Sequence, residues 1–155
     1  RVFIVGGGGK SGLLCGCAAR KSAGPAGKVL GLARSQESRA RMVASGFFDV
    51  ALAGDARRPL EVMELVREAT GGAMADVSIN CASLPGTELG TILATRDGGK
   101  VYFFNMATSF TAAALGAEGV GKDVTMIIGS GYCAGHARYA LELVRENEKL
   151  QRMLA

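Results

Sequence analysis

Short apolar runs recur along this chain at regular intervals, at residues 2–5, 29–32, 50–53, 77–79, 101–104 and 124–128. They are largely continuous rather than alternating. A strand with one wet face alternates, whereas a strand covered on both faces does not. The six runs therefore predict six strands of a parallel sheet. Between them the polar positions fall into helical period. Over 60–69, Val62, Leu65, Val66 and Ala69 share one face and Glu61, Glu64, Arg67 and Glu68 the other. Gly71-Gly72 ends that helix. Further helices are expected over 36–45, stopped by Gly46, and over 86–95, stopped by Asp97-Gly98-Gly99. A last one over 135–147 buries Ala137, Ala140, Leu141 and Val144, with Arg138 and Glu142 paired outside. Residues 109–121 give mixed signals, because Ala112-Ala113-Ala114-Leu115 suggests a helical turn and the glycines after it break one. The expected fold is α/β: a three-layer, doubly wound parallel sheet of the Rossmann kind. It has about six strands in the order 3-2-1-4-5-6, joined by right-handed crossovers. Its ligand site lies at the carboxyl ends of the strands, beside strand 1.

The junction after the first run carries the chemistry. Val2-Phe3-Ile4-Val5 is followed by Gly6-Gly7-Gly8-Gly9-Lys10-Ser11-Gly12 and then by apolar helix residues. Gly7-x-Gly9-x-x-Gly12 fits the dinucleotide fingerprint, in the strand–turn–helix setting the fingerprint requires. The first glycine permits the tight turn, the second lets a pyrophosphate approach the backbone, and the third lets helix and strand pack closely. The helix N-terminus offers free N–H groups and the positive end of its dipole. Lys10 does not make this a phosphate-binding P-loop: that pattern needs glycine at position 4, which is isoleucine.

Composition narrows the picture. The chain has 155 residues, enough for one domain, with 48% hydrophobic and 21% charged residues. Its 23 glycines are about twice the usual share, which implies many turns and close backbone approaches. The net charge of +4 comes without a block of like charges, so no nucleic-acid surface is expected. No apolar run is long enough to span a membrane. Cys15, Cys17, Cys81 and Cys133 are scattered rather than framed as disulfides, which points to the cytoplasm. Cys15-Gly16-Cys17 does not read as a metal site, because residues two apart on a helix do not face each other and the chain has one histidine. The chain opens directly on a strand at Arg1, so it is expected to be a dinucleotide-binding domain excised from a larger two-domain enzyme.

Other candidate site residues sit at the ends of the later strands. After strand 2 stand Ala33-Arg34-Ser35, where an NAD-preferring domain usually places a carboxylate. Arg34 either pairs with a 2′-phosphate, favouring NADP, or is a solvated loop residue that leaves both cofactors open. Asp55 and Ala56, past strand 3, lie at the adenine end, or Asp55 serves as a turn or cap residue. Asn80, Cys81 and Ala82 after strand 4, and Asn105, Met106 and Ala107 after strand 5, are expected to wall the nicotinamide. Ser130 reaches the same level after strand 6. Cys81 has no activating base nearby in sequence, and His136 beside Tyr132 reads as a residue starting a helix. No catalytic residue is assigned.

The glycine loop through Cys15, and the stretch from Leu93 to Asp123 with its Thr95-Arg96-Asp97-Gly98-Gly99-Lys100 and Met106-Ala107-Thr108-Ser109-Phe110 segments, resemble the L-erythro-3,5-diaminohexanoate dehydrogenase family. That family is related to the medium-chain dehydrogenase/reductases. The likeness runs over nearly the whole chain. It implies NAD- or NADP-dependent oxidative deamination: the 3-amino carbon gives up a hydride, and the imine hydrolyses to 5-amino-3-oxohexanoate and ammonia. It also implies that Gly7, Gly9, Lys10, Ser11 and Gly12 hold the pyrophosphate, and that Asn80, Cys81, Ala82, Met106 and Ala107 line the nicotinamide half. The implied partners are a small diamino acid and a substrate domain outside this chain, and a homodimer is an open option. Two other functions stand beside this one: a quinone-reductase-like or other medium-chain NADP-dependent reductase, and a non-catalytic nucleotide-sensing module.

Overall fold

The computed structural model describes residues 1–128 and 133–155. Six strands, β1 (Val2–Val5), β2 (Val29–Ala33), β3 (Val50–Ala53), β4 (Ala75–Asn80), β5 (Thr95–Phe103) and β6 (Val124–Ile128), alternate with helices. The helices are α1 (Lys10–Ala23), α2 (Gln36–Ser45), α3 (Pro59–Ala69), α4 (Glu88–Leu93), α5 (Phe110–Gly119), α6 (His136–Glu146) and α7 (Glu148–Leu154). All strand pairs are parallel, in the order β3-β2-β1-β4-β5-β6. The doubly wound sheet expected from the apolar runs is thus the fold observed. The order reverses at β1, whose Val5 lies beside Leu32 of β2 on one side and Asn80 of β4 on the other.

Alternate residues of β1 feed opposite layers, which is why the whole strand is apolar. Phe3 and Val5 pack with Leu30, Leu32, Val62 and Val66 under α3. Ile4 points the other way, to Ala19 of α1 and Val29. On that second face α7 closes the layer, with Leu150 packed against Leu13, Cys17, Phe47 and Leu143. The helix over 109–121 forms as α5, because Ser109 caps it by accepting from the Ala112 N–H at 3.2 Å and Ala113 and Ala117 pack under β5 and β6.

Most boundaries shift by one or two residues, and two departures from expectation are larger. β5 begins six residues earlier than its apolar core, because Thr95 pairs with Ala75 before a register shift and its hydroxyl bonds the buried Ser78 hydroxyl at 2.7 Å. α7 follows the last expected helix as a separate element. Asn147 ends α6 and caps α7, accepting from the Leu150 N–H at 2.9 Å. Among the described residues no helix is long and apolar enough to cross a membrane.

Candidate dinucleotide site

The loop after β1 is a fork of backbone hydrogen bonds. The N–H groups of Gly6 and Gly7 both donate to the Leu32 carbonyl, at 2.9 and 3.2 Å, tying the loop to β2. Gly9 N–H closes the turn on the Gly6 carbonyl at 3.1 Å, and Leu13 N–H donates to the Gly9 carbonyl at 2.9 Å as α1 begins. The N–H groups of Gly8, Lys10, Ser11 and Gly12 find no partner among the described residues. No acidic side chain lies in the first turn of α1 to answer its dipole, so this end of the helix is set up for an anion.

The glycines of the loop divide by what demands them. Gly6 has φ +77°, a conformation that side chains resist. A Cβ on Gly12 would collide with the Gly6 carbonyl oxygen and stand 2.7 Å from the Gly7 Cα, and one on Gly8 would collide with the Ser38 carbonyl of α2. Gly9 is different. Its φ of −75° and ψ of 167° suit any residue, and a Cβ there would meet one protein atom, the Gly6 carbonyl oxygen, at an ordinary 3.5 Å. The fold does not need glycine at position 9. A ligand resting on the backbone there would need it.

Gly6, Gly8, Gly9, Arg34, Ser38 and Leu84 line a cleft of about 240 Å³. Beside it, Gly54, Asp55 and Ala56 close a recess of about 90 Å³ against Val5, Leu32 and Ala82. Arg34 is exposed at the cleft edge. Ser35 caps α2, accepting from Ser38 N–H at 3.1 Å. Asp55 is a turn residue: it accepts the Arg57 N–H at 3.0 Å and grips the Arg57 guanidinium with both oxygens, at 3.0 and 2.6 Å. That guanidinium holds the Asp55 carboxyl well below the usual carboxylate range. The residue preceding Pro59, Arg58, occupies the N-cap of α3 instead.

The ends of β4 and β5 are built alike. Asn80 accepts the Ala82 N–H at 3.1 Å, and Asn105 accepts the Ala107 N–H at 2.8 Å. The Asn105 amide also donates to the Ala82 carbonyl, joining the two turns. Asn80 is fully buried and spends both amide protons on Thr87 Oγ1 (2.8 Å) and Thr91 Oγ1 (3.0 Å) of the α4 segment. Its side chain therefore shapes the turn from behind and does not face the cleft. Cys81 also turns away, under α1, with its sulfur 3.8 Å from that of Cys15. Ala82 borders the smaller recess beside the cleft, its backbone nitrogen 3.0 Å from where a Gly6 Cβ would stand. Met106 is 92% exposed and, with Phe103, Phe104, Thr108, Phe110 and Ile128, lines an apolar recess of about 250 Å³ at the strand ends. Ser130 lies outside the described residues.

Ser38 and Leu84 line the cleft without having been expected to, and neither stands in a pattern that marks it. Glu88 is 2% exposed and accepts the Ser109 N–H at 2.7 Å, fixing the loop that bears Met106 and Ala107. A glutamate in a first helical turn ordinarily reads as a dipole partner, so its long-range role was hidden.

A parallel sheet reversing at β1, with a glycine loop open to an anion at that point, is a Rossmann-type fold with a candidate dinucleotide site at its switch point. Solved structures agree on the fold. An alcohol dehydrogenase from the hyperthermophilic archaeon Aeropyrum pernix superposes with a TM-score of 0.71 at 19% identity, over 96% of this chain and 40% of that one. A mycobacterial protein complexed with NADPH does so with 0.71 at 16% identity, over 98% of this chain and 52% of that one. No protein-family model matches the chain.

The particular resemblance drawn from the loop is met by curated relatives. The chain is 51% identical over 147 residues, 95% of its length, to a protein of Acetoanaerobium sticklandii named L-erythro-3,5-diaminohexanoate dehydrogenase. It is 46% identical over 150 residues to a protein of the same name from Fusobacterium nucleatum subsp. nucleatum. It spans 43% and 44% of the length of these relatives.

Proposed function

We propose that this chain is the cofactor-binding domain of an NAD(P)-dependent enzyme that oxidatively deaminates L-erythro-3,5-diaminohexanoate to 5-amino-3-oxohexanoate and ammonia. The observation that carries the reading is the 51% identity, across nearly the whole chain, to a protein of that name. The loop geometry supports the same reading. The pyrophosphate lies over Gly9 and takes the N–H groups of Lys10, Ser11 and Gly12. Arg34 and Ser35 meet the adenosine ribose, with Arg34 able to accept a 2′-phosphate. Asp55 and Ala56 border the adenine. Ala82, Met106 and Ala107 wall the nicotinamide half, held in place by Asn80, Asn105 and Glu88 from behind. When bound, the cofactor supplies a hydride acceptor.

The groups that meet the substrate belong, in this reading, to a separate substrate domain. A diamino acid needs carboxylates for its ammonium groups and a cation for its carboxyl group, and the strand ends described here carry no such set. The enzyme works in the cytoplasm, a reducing compartment that suits four cysteines without a disulfide framework.

A domain exchange tests the proposal. Residues 1–155 replace the matching segment of the Acetoanaerobium sticklandii relative, and ammonia and reduced cofactor are followed with the diamino acid as substrate. The reading expects turnover by the hybrid. A folded hybrid that binds cofactor but releases no ammonia contradicts the substrate assignment.

A further inference from the structure

Cys15 lies in the second turn of α1, and Cys81 is the first residue past β4. Their sulfurs stand 3.8 Å apart, with the Cys81 thiol donating to Cys15. Both are partly exposed. They sit in an apolar layer with Ile4, Ala19, Val29 and Ile79, where packing alone would be served by alanine or valine. Neither side chain is needed by the cleft.

We propose that Cys15 and Cys81 form a peroxide-sensitive pair whose disulfide reshapes the neighbouring dinucleotide cleft. The effect on the cleft rests on the reading that the glycine loop binds a dinucleotide. The shared hydrogen bond sets the roles. It lowers the pKa of Cys15, the member that gives up its proton first, and raises that of Cys81, which keeps its proton. The Cys15 thiolate attacks one oxygen of hydrogen peroxide; the O–O bond breaks, and a sulfenic acid forms with release of hydroxide. The Cys81 sulfur then attacks the sulfenic sulfur. The S–S bond forms, the S–O bond breaks, and the hydroxyl leaves with the Cys81 proton as water. The hydroxide takes up the proton that Cys15 gave up, so two thiols are oxidised and one peroxide is reduced to two waters.

A disulfide requires a sulfur separation of about 2.0 Å, so the pair must close by roughly 1.8 Å from its present 3.8 Å. α1 is held along its length by the sheet and by α6 and α7, so the turn after β4 is the part that yields. That turn carries Ala82, packed on Gly6, and Leu84, which lines the cleft. Displacing the Leu84 contact is expected to weaken dinucleotide binding by about ten-fold.

The test uses the chain in a Cys133→Ser background, which removes the exposed thiol. Reduced protein is titrated with NAD and NADP, treated with equimolar hydrogen peroxide, mapped by mass spectrometry and titrated again, then reduced with dithiothreitol. The expected result is a linked Cys15–Cys81 peptide pair, loss of two titratable thiols, and weakened binding that dithiothreitol restores. Cys15→Ser and Cys81→Ser should lose the link and keep their affinity after peroxide. Absence of the linked pair in the mapped wild-type protein overturns the site. A mapped disulfide with unchanged affinity overturns the effect on the cleft. Failure of the reduced protein to bind either nucleotide overturns the dinucleotide reading, and the cleft effect with it, while peptide mapping still decides the pair.

Discussion

Replacing Gly9 with valine should abolish dinucleotide binding and leave the fold almost untouched. The backbone at Gly9 already has the extended conformation that valine adopts. The added Cβ has one protein neighbour within 4 Å, at 3.5 Å, and the rest of the side chain stands in the cleft. Gly9 is the N-cap of α1 without a side-chain bond to lose, so the stability change should stay within about 1 kcal/mol. The binding change is far larger. A branched side chain at position 9 keeps an anion from the N–H groups of the first turn of α1. Hydrogen bonds to a charged group contribute about 1.5–3 kcal/mol each, so losing two weakens binding by about 10² to 10⁴-fold. Calorimetric titration with NAD and NADP reads the affinity, and thermal unfolding reads the stability. Gly12→Ala is the counterpart: its Cβ collides with the Gly6 carbonyl oxygen, so the cost should appear as about 1–3 kcal/mol of stability. Wild-type affinity in a folded Gly9→Val protein would refute the reasoning. So would a Gly12→Ala protein as stable as the wild type.

Arg34→Glu should weaken NADP by about ten-fold or more while NAD changes less, since a charge-assisted bond to a 2′-phosphate becomes a repulsion; an unmoved ratio in parallel titrations would make Arg34 a bystander. Asn80→Ala leaves the Thr87 and Thr91 hydroxyls and the Ala82 N–H without their buried partner. It should cost about 2–3 kcal/mol in urea unfolding, and a change below about 0.5 kcal/mol would contradict the network. Arg57→Ala should let the Asp55 carboxyl rise toward the ordinary carboxylate range, as read by NMR titration. Because the Asp55 value is depressed in the folded state, its contribution to stability is present above the unfolded value near pH 4 and is lost as pH falls below it. The stability gap between wild type and Arg57→Ala should therefore narrow toward zero on acidification, and a gap that widened would refute the pairing.

The sheet was legible because strands covered on both faces have no choice but to be apolar. Phe3 and Ile4 both had to be large and nonpolar, one for each layer. The glycine loop was legible for a related reason, since no other residue tolerates the crowding at Gly8 and Gly12. Side-chain direction at the strand ends was not. Asn80 and Asn105 close the same turn, yet the Asn80 amide protons go to two threonines 7 and 11 residues on, a pairing that no local pattern announces. The start of β5 was hidden because Thr95 and Arg96 are held by partners on β4: Thr95 by Ser78, Arg96 by Asp76 at 2.6 Å. The Cys15–Cys81 approach joins residues 66 apart and exists only once α1 lies on the sheet.

In the proposed function a dinucleotide rests on the loop between β1 and α1. Backbone amide NMR during titration with NAD and NADP tests it most directly. The resonances of Gly8, Lys10, Ser11 and Gly12 should move first and furthest with at least one of the two, with those of Arg34 and Ala82 following. Shifts confined to other faces of a folded protein, or none with either nucleotide, would contradict it.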